Sequence, residues 1–137
     1  MRMTAPLAAT LVCLLAACGG AEAPTLSTEE RLARPADPES GARLARICRT
    51  CHEVAAGTGH RVGPNLWDVA GAEAGRHPDF AYSQALKRSG VVWDEAALDA
   101  YLEAPQGLIE GGRMAYDGMA DPADRRDVIA YLETLRD

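Results

Sequence analysis

Cys48-Arg49-Thr50-Cys51-His52, two cysteines separated by two residues and followed at once by a histidine, are the residues of this 137-residue chain best suited to chemistry. Three kinds of site use such a group: a structural zinc knuckle, a redox dithiol, or a haem held by two thioether bonds with the histidine beneath its iron. Structural zinc needs four ligands, usually from a second cysteine pair or two further histidines. No second pair follows. His60 and His77 lie in glycine-rich stretches without ligand spacing and read as surface-loop histidines. A thioredoxin-like dithiol belongs to a βαβ context, and no β-alternation is visible. Covalent haem fits on geometry. Two thiols one helical turn apart reach the two vinyl groups of one porphyrin edge, and the next residue falls below the iron.

The other two cysteines lie in the N-terminal segment. Residues 1–17 carry a single charge, Arg2, and an apolar run, "APLAATLVCLLAA" (5–17), too short for a spanning helix. They read as a secretory signal. "LAAC" (15–18) resembles a bacterial lipobox, which would make Cys18 the lipidated first residue after cleavage. A later cut after "AEA" (21–23), giving a soluble exported protein, is the alternative; Pro24 just beyond it disfavours that cut. More than one acyl chain anchors a protein stably. Only Cys48 and Cys51 then remain for the folded part.

The whole chain carries a net charge of −6, and −7 once Arg2 leaves with the signal. That balance excludes nucleic acid and charge-driven adhesion to an anionic membrane. Lys87 is the only lysine.

The elements that must hold the cysteine motif follow from capping and periodicity. Residues 18–36 hold the lipidated cysteine and a Pro-rich, charged stretch without sustained apolar periodicity, which reads as a flexible tether spanning about 25 Å. Asp37-Pro38 supplies an N-cap and an N1 proline. Leu44, Ile47, Cys48 and Cys51 at helical spacing then predict a first helix that delivers the motif at its C-terminal end. Residues 52–78 form a long Gly- and Pro-rich loop, which needs a function or a filling. Ser83–Ser89 predicts a short helix stopped by Gly90. Asp94 caps the next, with Ala97, Leu98, Tyr101 and Leu102 on one face and Pro105 ending it. "QGLIEGGRMAYDGM" (106–119) is a second glycine-rich loop, and Asp121-Pro122 starts a last helix bearing Val128, Tyr131, Leu132 and Leu135. The chain is all-α, with one domain over 37–137. Aromatics make up 5% of it, with one Phe, too few to fill a core around such loops; a large apolar prosthetic group would do so.

From about Gly41 onward the chain resembles the class I cytochromes c, the mitochondrial and bacterial electron carriers. "CRTCH", "VGPNLWDVAG", "FAYSQALKRSGVVWDEAALDAYLEAP", "GGRMAYDGM" and "DRRDVIAYLETL" occur in that family's order and spacing. The resemblance implies the cytochrome c fold, helices and long loops around one haem c attached at Cys48 and Cys51, with His52 as proximal ligand. It implies that Pro64 offers its carbonyl to the other nitrogen of His52, fixing the tautomer. Tyr82 and Trp93 match residues that hydrogen-bond a propionate, and Tyr101 matches the tyrosine near the sixth ligand. Met114 matches that ligand and Met119 a packing position. Three departures bear on tuning. "EGGR" stands where the family has Pro-Gly-Thr-Lys, giving a looser loop; a family arginine aligns with Ala72, with Arg76 as a substitute; a family asparagine aligns with Leu86.

The function so implied is single-electron transfer without catalytic machinery. His/Met ligation leaves no open coordination site and raises the potential. Arg61 and Arg113 match two positions of the family's basic docking ring, and Arg49 lies between the cysteines. The expected partners are membrane-bound respiratory or photosynthetic complexes on the periplasmic side, met by a monomer anchored at Cys18. Release of Met114 by the EGGR loop would instead give a five-coordinate haem open to gas ligands or weak peroxidase activity. A haem subunit of a larger oxidoreductase is the third reading.

Overall fold

The computed structural model describes residues 25–136. The predicted signal, Cys18 and the start of the tether lie outside them. Six helices follow in order: α1 (Thr28–Leu32), α2 (Pro38–Leu44), α3 (Gln84–Arg88), α4 (Glu95–Glu103), α5 (Pro105–Leu108) and α6 (Pro122–Glu133). Among the described residues the only β pairing is one isolated antiparallel bridge, Glu73 with Val92. The fold class is all-α, as the sequence implied.

The helix starts are set by the predicted caps. The Asp37 carboxylate accepts from the N–H groups of Glu39 and Ser40, that of Asp94 from Ala97, and that of Asp121 from Ala123, satisfying donors a helix start leaves open. Helix α2 crosses α6 at Gly41, whose missing side chain lets the two backbones touch: a Cβ there would run into the Asp127 carbonyl and stand 2.9 Å from the Tyr131 Cβ. Helices α4 and α6 bury Leu98, Leu102, Val128, Ile129 and Leu132 between them, with Leu86 and Trp93 closing the cluster. Among the described residues Val128 is the one large side chain that is fully buried.

The first helix is shorter than its periodicity predicts. It ends at Leu44, and Cys48–Thr50 form a separate 3₁₀ turn. The break is local: the Arg43 carbonyl, which a continuing α-helix would give to the Ile47 N–H, accepts from the Arg46 N–H at 3.4 Å and the Arg46 Nε at 3.0 Å. In the turn that follows, the Ile47 carbonyl accepts from the Thr50 hydroxyl at 2.7 Å and the Thr50 N–H at 3.2 Å, while the Cys51 N–H donates to the Cys48 carbonyl. The apolar stripe is not covered by protein either: Ile47 is 56% exposed and Cys51 is exposed. Pro105 does end α4, but it also opens α5 from its N1 position, so the second loop begins later than predicted.

Part of the stretch expected to be a flexible tether is helical and docked. Helix α1, closed by a capping box between Ser27 and Glu30, lies on α6. Thr28 donates to Asp121 (2.9 Å). Arg31 pairs with Asp121, Asp124 and Asp127 at 3.2, 2.6 and 3.2 Å, and Arg126 donates to the carbonyls of Leu32 and Arg34. None of the residues of α1 is buried. The bonds that hold it are polar, and a search for apolar periodicity does not find such a contact. No helix among the described residues is long and apolar enough to cross a membrane.

Candidate functional site

The 3₁₀ turn carries Cys48 half-buried and Cys51 exposed, both as free thiols. His52 follows, half-buried, with its Nδ1–H donating to the Pro64 carbonyl at 2.6 Å. That bond fixes the tautomer and leaves Nε2 with its lone pair free. The loop reaches His52 because residue 63 is glycine. A Cβ at Gly63 would stand 2.6 Å from Nδ1 and 2.7 Å from Nε2 of the imidazole, a clash that no other residue avoids. The Gly63 N–H donates to the Cys51 carbonyl at 2.7 Å and the Arg61 guanidinium to the Arg49 carbonyl at 3.0 Å, so turn and loop are laced together. Burial holds the His52 imidazole below its usual pKa, against the opposing pull of the Pro64 carbonyl; the ring is neutral and able to ligate.

These features fit a covalent haem. Two free thiols on one turn and a neutral imidazole with one nitrogen held in reserve are the donor set required. The shallow protein core, with half-buried Leu44, Val54, Leu66 and Trp67 packed at its border, matches the shortage of apolar filling read from composition.

Tyr82, Trp93 and Tyr101 all lie in or against the core. Trp93 packs on Tyr101, ring centroids 4.8 Å apart, and Tyr82 on Phe80 at 4.8 Å. Burial pushes both tyrosine hydroxyls up; at Tyr82 the His77 backbone and the Arg76 charge oppose it. Arg76 reaches over from beyond Ala72, donating to the Trp67 carbonyl and, at 3.4 Å, to Asp68. Leu86 is buried.

The two methionines part company. The Met119 N–H bonds the Leu102 carbonyl at 2.8 Å and its side chain packs on the core; Met114, half-buried, is not part of that cluster. Between them, burial first, then the Cys48 thiol and the Asp124 carboxylate, push the Tyr116 hydroxyl up. The EGGR segment is less loose than its glycines imply. Gln106 donates to the Gly112 carbonyl (3.1 Å), the Gly112 N–H to Ile109 (3.0 Å) and Arg113 to the Ala81 carbonyl (3.2 Å). Beyond Met119, buried Arg125 donates to the carbonyls of Met119 and Ala120 and pairs with Asp99 at 2.7 Å, fixing the loop's end to α4 and α6.

Arg49, Arg61 and Arg113 are all exposed. Arg49 and Arg61 are neighbours, and Glu53 stands 3.7 Å from the Arg61 Nε. Ile47 and Val62, 56% and 81% exposed, flank them.

The sequence reading missed one cluster. His60 and His77 are not isolated surface histidines: their rings meet edge to face at 4.7 Å, with Phe80 at 5.3 Å from His60. Buried Asn65 ties them together. Its N–H donates to His60 Nδ1 (3.0 Å) and its carbonyl lies 3.3 Å from His77 Nε2, while its side chain bonds Ala55, Thr58 and Trp67. His60 Nε2 therefore carries the proton, which it donates to Asp79 at 3.2 Å. Two histidines 17 residues apart give no local signal.

Comparison with known proteins agrees with this geometry. The cytochrome c family model matches residues 38–136. A cytochrome c2 of Rhodomicrobium vannielii is 45% identical over 98 residues, 72% of this chain and 78% of that protein. A cytochrome c2 of Rhodopila globiformis is 44% identical over 105 residues, 76% and 98% of the two chains. The solved structure of cytochrome cH from Methylobacterium extorquens superposes with a TM-score of 0.68 at 38% identity, covering 72% of this chain and 98% of that one. The chain belongs to the cytochrome c family, and is thus an electron-transfer protein carrying covalently bound haem c and not an enzyme.

Proposed function

We propose that the chain is a one-electron carrier of the periplasmic face, in which Cys48 and Cys51 hold the haem and His52 and Met114 are the iron's two axial ligands. Bound there, haem c supplies one reversibly exchanged electron. The observation that carries the reading is the bond from His52 Nδ1 to the Pro64 carbonyl, which reserves Nε2 for iron and raises its basicity. Met114 is the partner residue because Met119 is engaged in the core. The pinned EGGR segment favours a retained thioether over the five-coordinate, gas-binding reading. Half-buried Tyr82 and buried Trp93 would supply donors for a propionate, and half-buried Tyr101 would stand near the sixth ligand. The haem-subunit reading predicts co-purification with a larger oxidoreductase; a protein that purifies alone and monomeric counts against it.

Docking is assigned to exposed Arg49, Arg61 and Arg113, with exposed Ile47 and Val62 beside the first two. Apolar residues interleaved with arginines give contact without a dry interface, and the arginines steer an acidic partner despite the net negative charge. Membrane-bound respiratory or photosynthetic complexes are the proposed donor and acceptor, and lipid at Cys18 would keep the carrier beside them at a raised effective concentration. Mass spectrometry of the purified N-terminus decides the anchor: acyl mass on Cys18 supports it, and a cut after Ala23 overturns it.

The ligand set is tested by the absorption spectrum of the ferric protein. The weak red charge-transfer band of methionine sulfur on iron should be present in the native protein and in Met119→Ala, and absent in Met114→Ala. A native protein without the band at neutral pH moves the five-coordinate reading to the front. Association rates with the redox partner should fall as salt rises; equal rates at low and high salt would remove the basic-face argument.

A further inference from the structure

One group of chemically able side chains has no part in electron carriage. His60, His77 and Asp79 bring two imidazoles and a carboxylate together, with one ligand atom from each lying within 4.8 Å of the others. We propose that they form a second metal site, for a divalent ion of borderline softness such as Zn²⁺, and that its occupancy is coupled to His52.

Two imidazoles and a carboxylate are the ligand types that suit zinc, with water in the fourth position. A tetrahedral ion with bonds of about 2.0–2.1 Å holds its ligand atoms roughly 3.3 Å apart. The His60 Nε2 to Asp79 Oδ1 separation is already 3.2 Å. Asp79, 73% exposed, is free to swing, whereas His60, 16% exposed, is held. An ion entering replaces the proton that His60 Nε2 donates to Asp79. The ring then carries its proton on Nδ1, where it faces the Asn65 N–H donor. That hydrogen bond must break, so the ion acts on the backbone as well as on the side chains.

The coupling comes from the peptide it acts on. The Pro64 carbonyl and the Asn65 N–H belong to one peptide group. The carbonyl accepts from His52 Nδ1 and the N–H donates to His60 Nδ1. A single amide therefore bridges the two histidines, and hydrogen bonds in a chain polarise one another. When the N–H loses its acceptor, the carbonyl becomes a poorer acceptor and His52 a less basic ligand. The added positive charge acts in the same direction. Both disfavour the ferric state, so metal raises the midpoint potential, and by linkage the ferrous protein binds metal more tightly. This coupling rests on His52 being the axial ligand; the site itself does not.

Zinc titration of the holoprotein by calorimetry tests the site. The native protein should take up one Zn²⁺, and His77→Ala and Asp79→Asn should each weaken binding about tenfold or more. Both variants lie outside the haem ligands, and their unchanged visible spectra would show them folded. Binding that is absent in the native protein, or equal in all three, overturns the site. The midpoint potential, measured with saturating Zn²⁺ and again with chelator, tests the coupling. A tenfold preference for the ferrous form corresponds to about 59 mV upward, in the native protein and not in His77→Ala. Zinc bound with no change in potential overturns the coupling and leaves the site standing. A wrong assignment of His52 or Met114 would show itself separately, in the spectrum without zinc.

Discussion

The imidazole of His52 is held between a carbonyl and a glycine, and each half of that grip is open to a substitution. Gly63→Ala forces a methyl group into the ring. We expect it to tilt or displace His52, with loss of correctly ligated holoprotein on expression and a displaced Soret band in what remains. A normal spectrum and potential in this variant would mean that the loop yields elsewhere. Met114→Ala and Met119→Ala should separate cleanly by consequence. The first changes the spectrum with little loss of apoprotein packing. The second keeps the spectrum and lowers stability by about 2 kcal/mol, read from the denaturation midpoint. At this scale the sequence was informative where chemistry is contiguous: Cys48, Cys51 and His52 are one turn, and Gly63 and Pro64 one dipeptide. It was silent on His60, His77 and Asp79, because what joins them is the buried amide of Asn65 and not a spacing.

Helix starts were legible because they are written locally, in Asp37-Pro38, Asp94 and Asp121-Pro122. The end of α2 was not, because Arg46 takes the Arg43 carbonyl that periodicity assigns to the helix. Residues 28–33 read as a candidate helical turn too short to stand alone, and the docking of helix α1 was illegible for a different reason. The helix is five residues long, buries nothing, and is held by pairs 90 or more residues away in the chain. So short a helix has no stability of its own, and its order depends on Arg31. Arg31→Gln should free it, at a cost of about 1 kcal/mol, seen as faster amide hydrogen exchange in residues 30–34 with the rest of the protein unchanged. Salt should do the same to the native protein in part, since the Arg31, Asp121 and Asp124 side chains are 24–31% exposed. Exchange that is insensitive to both would mean that the hydrogen bonds from Arg126 suffice.

For the molecule as a whole, the acid limit of stability is set where its segments meet. Burial acts to raise the Asp127 carboxyl, but the Asp37 N–H and the guanidiniums of Arg126 and Arg31 outweigh it and hold the group below its ordinary 3.8. Asp121 is lowered in the same way. A carboxylate depressed on folding stabilises the fold above its unfolded pKa and loses that contribution as pH falls through the folded value. The thermal midpoint should therefore be indifferent to these groups from neutral pH down to about 4 and fall below it, and Asp127→Ala should lower stability by about 3 kcal/mol at neutral pH. A decline centred near pH 6 would point to histidine instead. The strap has a mechanical meaning too. If the chain is held at its N-terminus, any pull on the anchor meets Arg31 and Arg126 first, as a clasp loaded in shear. While the clasp holds, the body rides on a short leash that leaves the protein at a fixed place on α6. If it opens, residues 27–37 pay out as slack, roughly 35–40 Å of extended chain, before the load reaches α2. The distance over which this carrier can deliver an electron would then be set by five acidic and basic side chains, none of them a haem ligand.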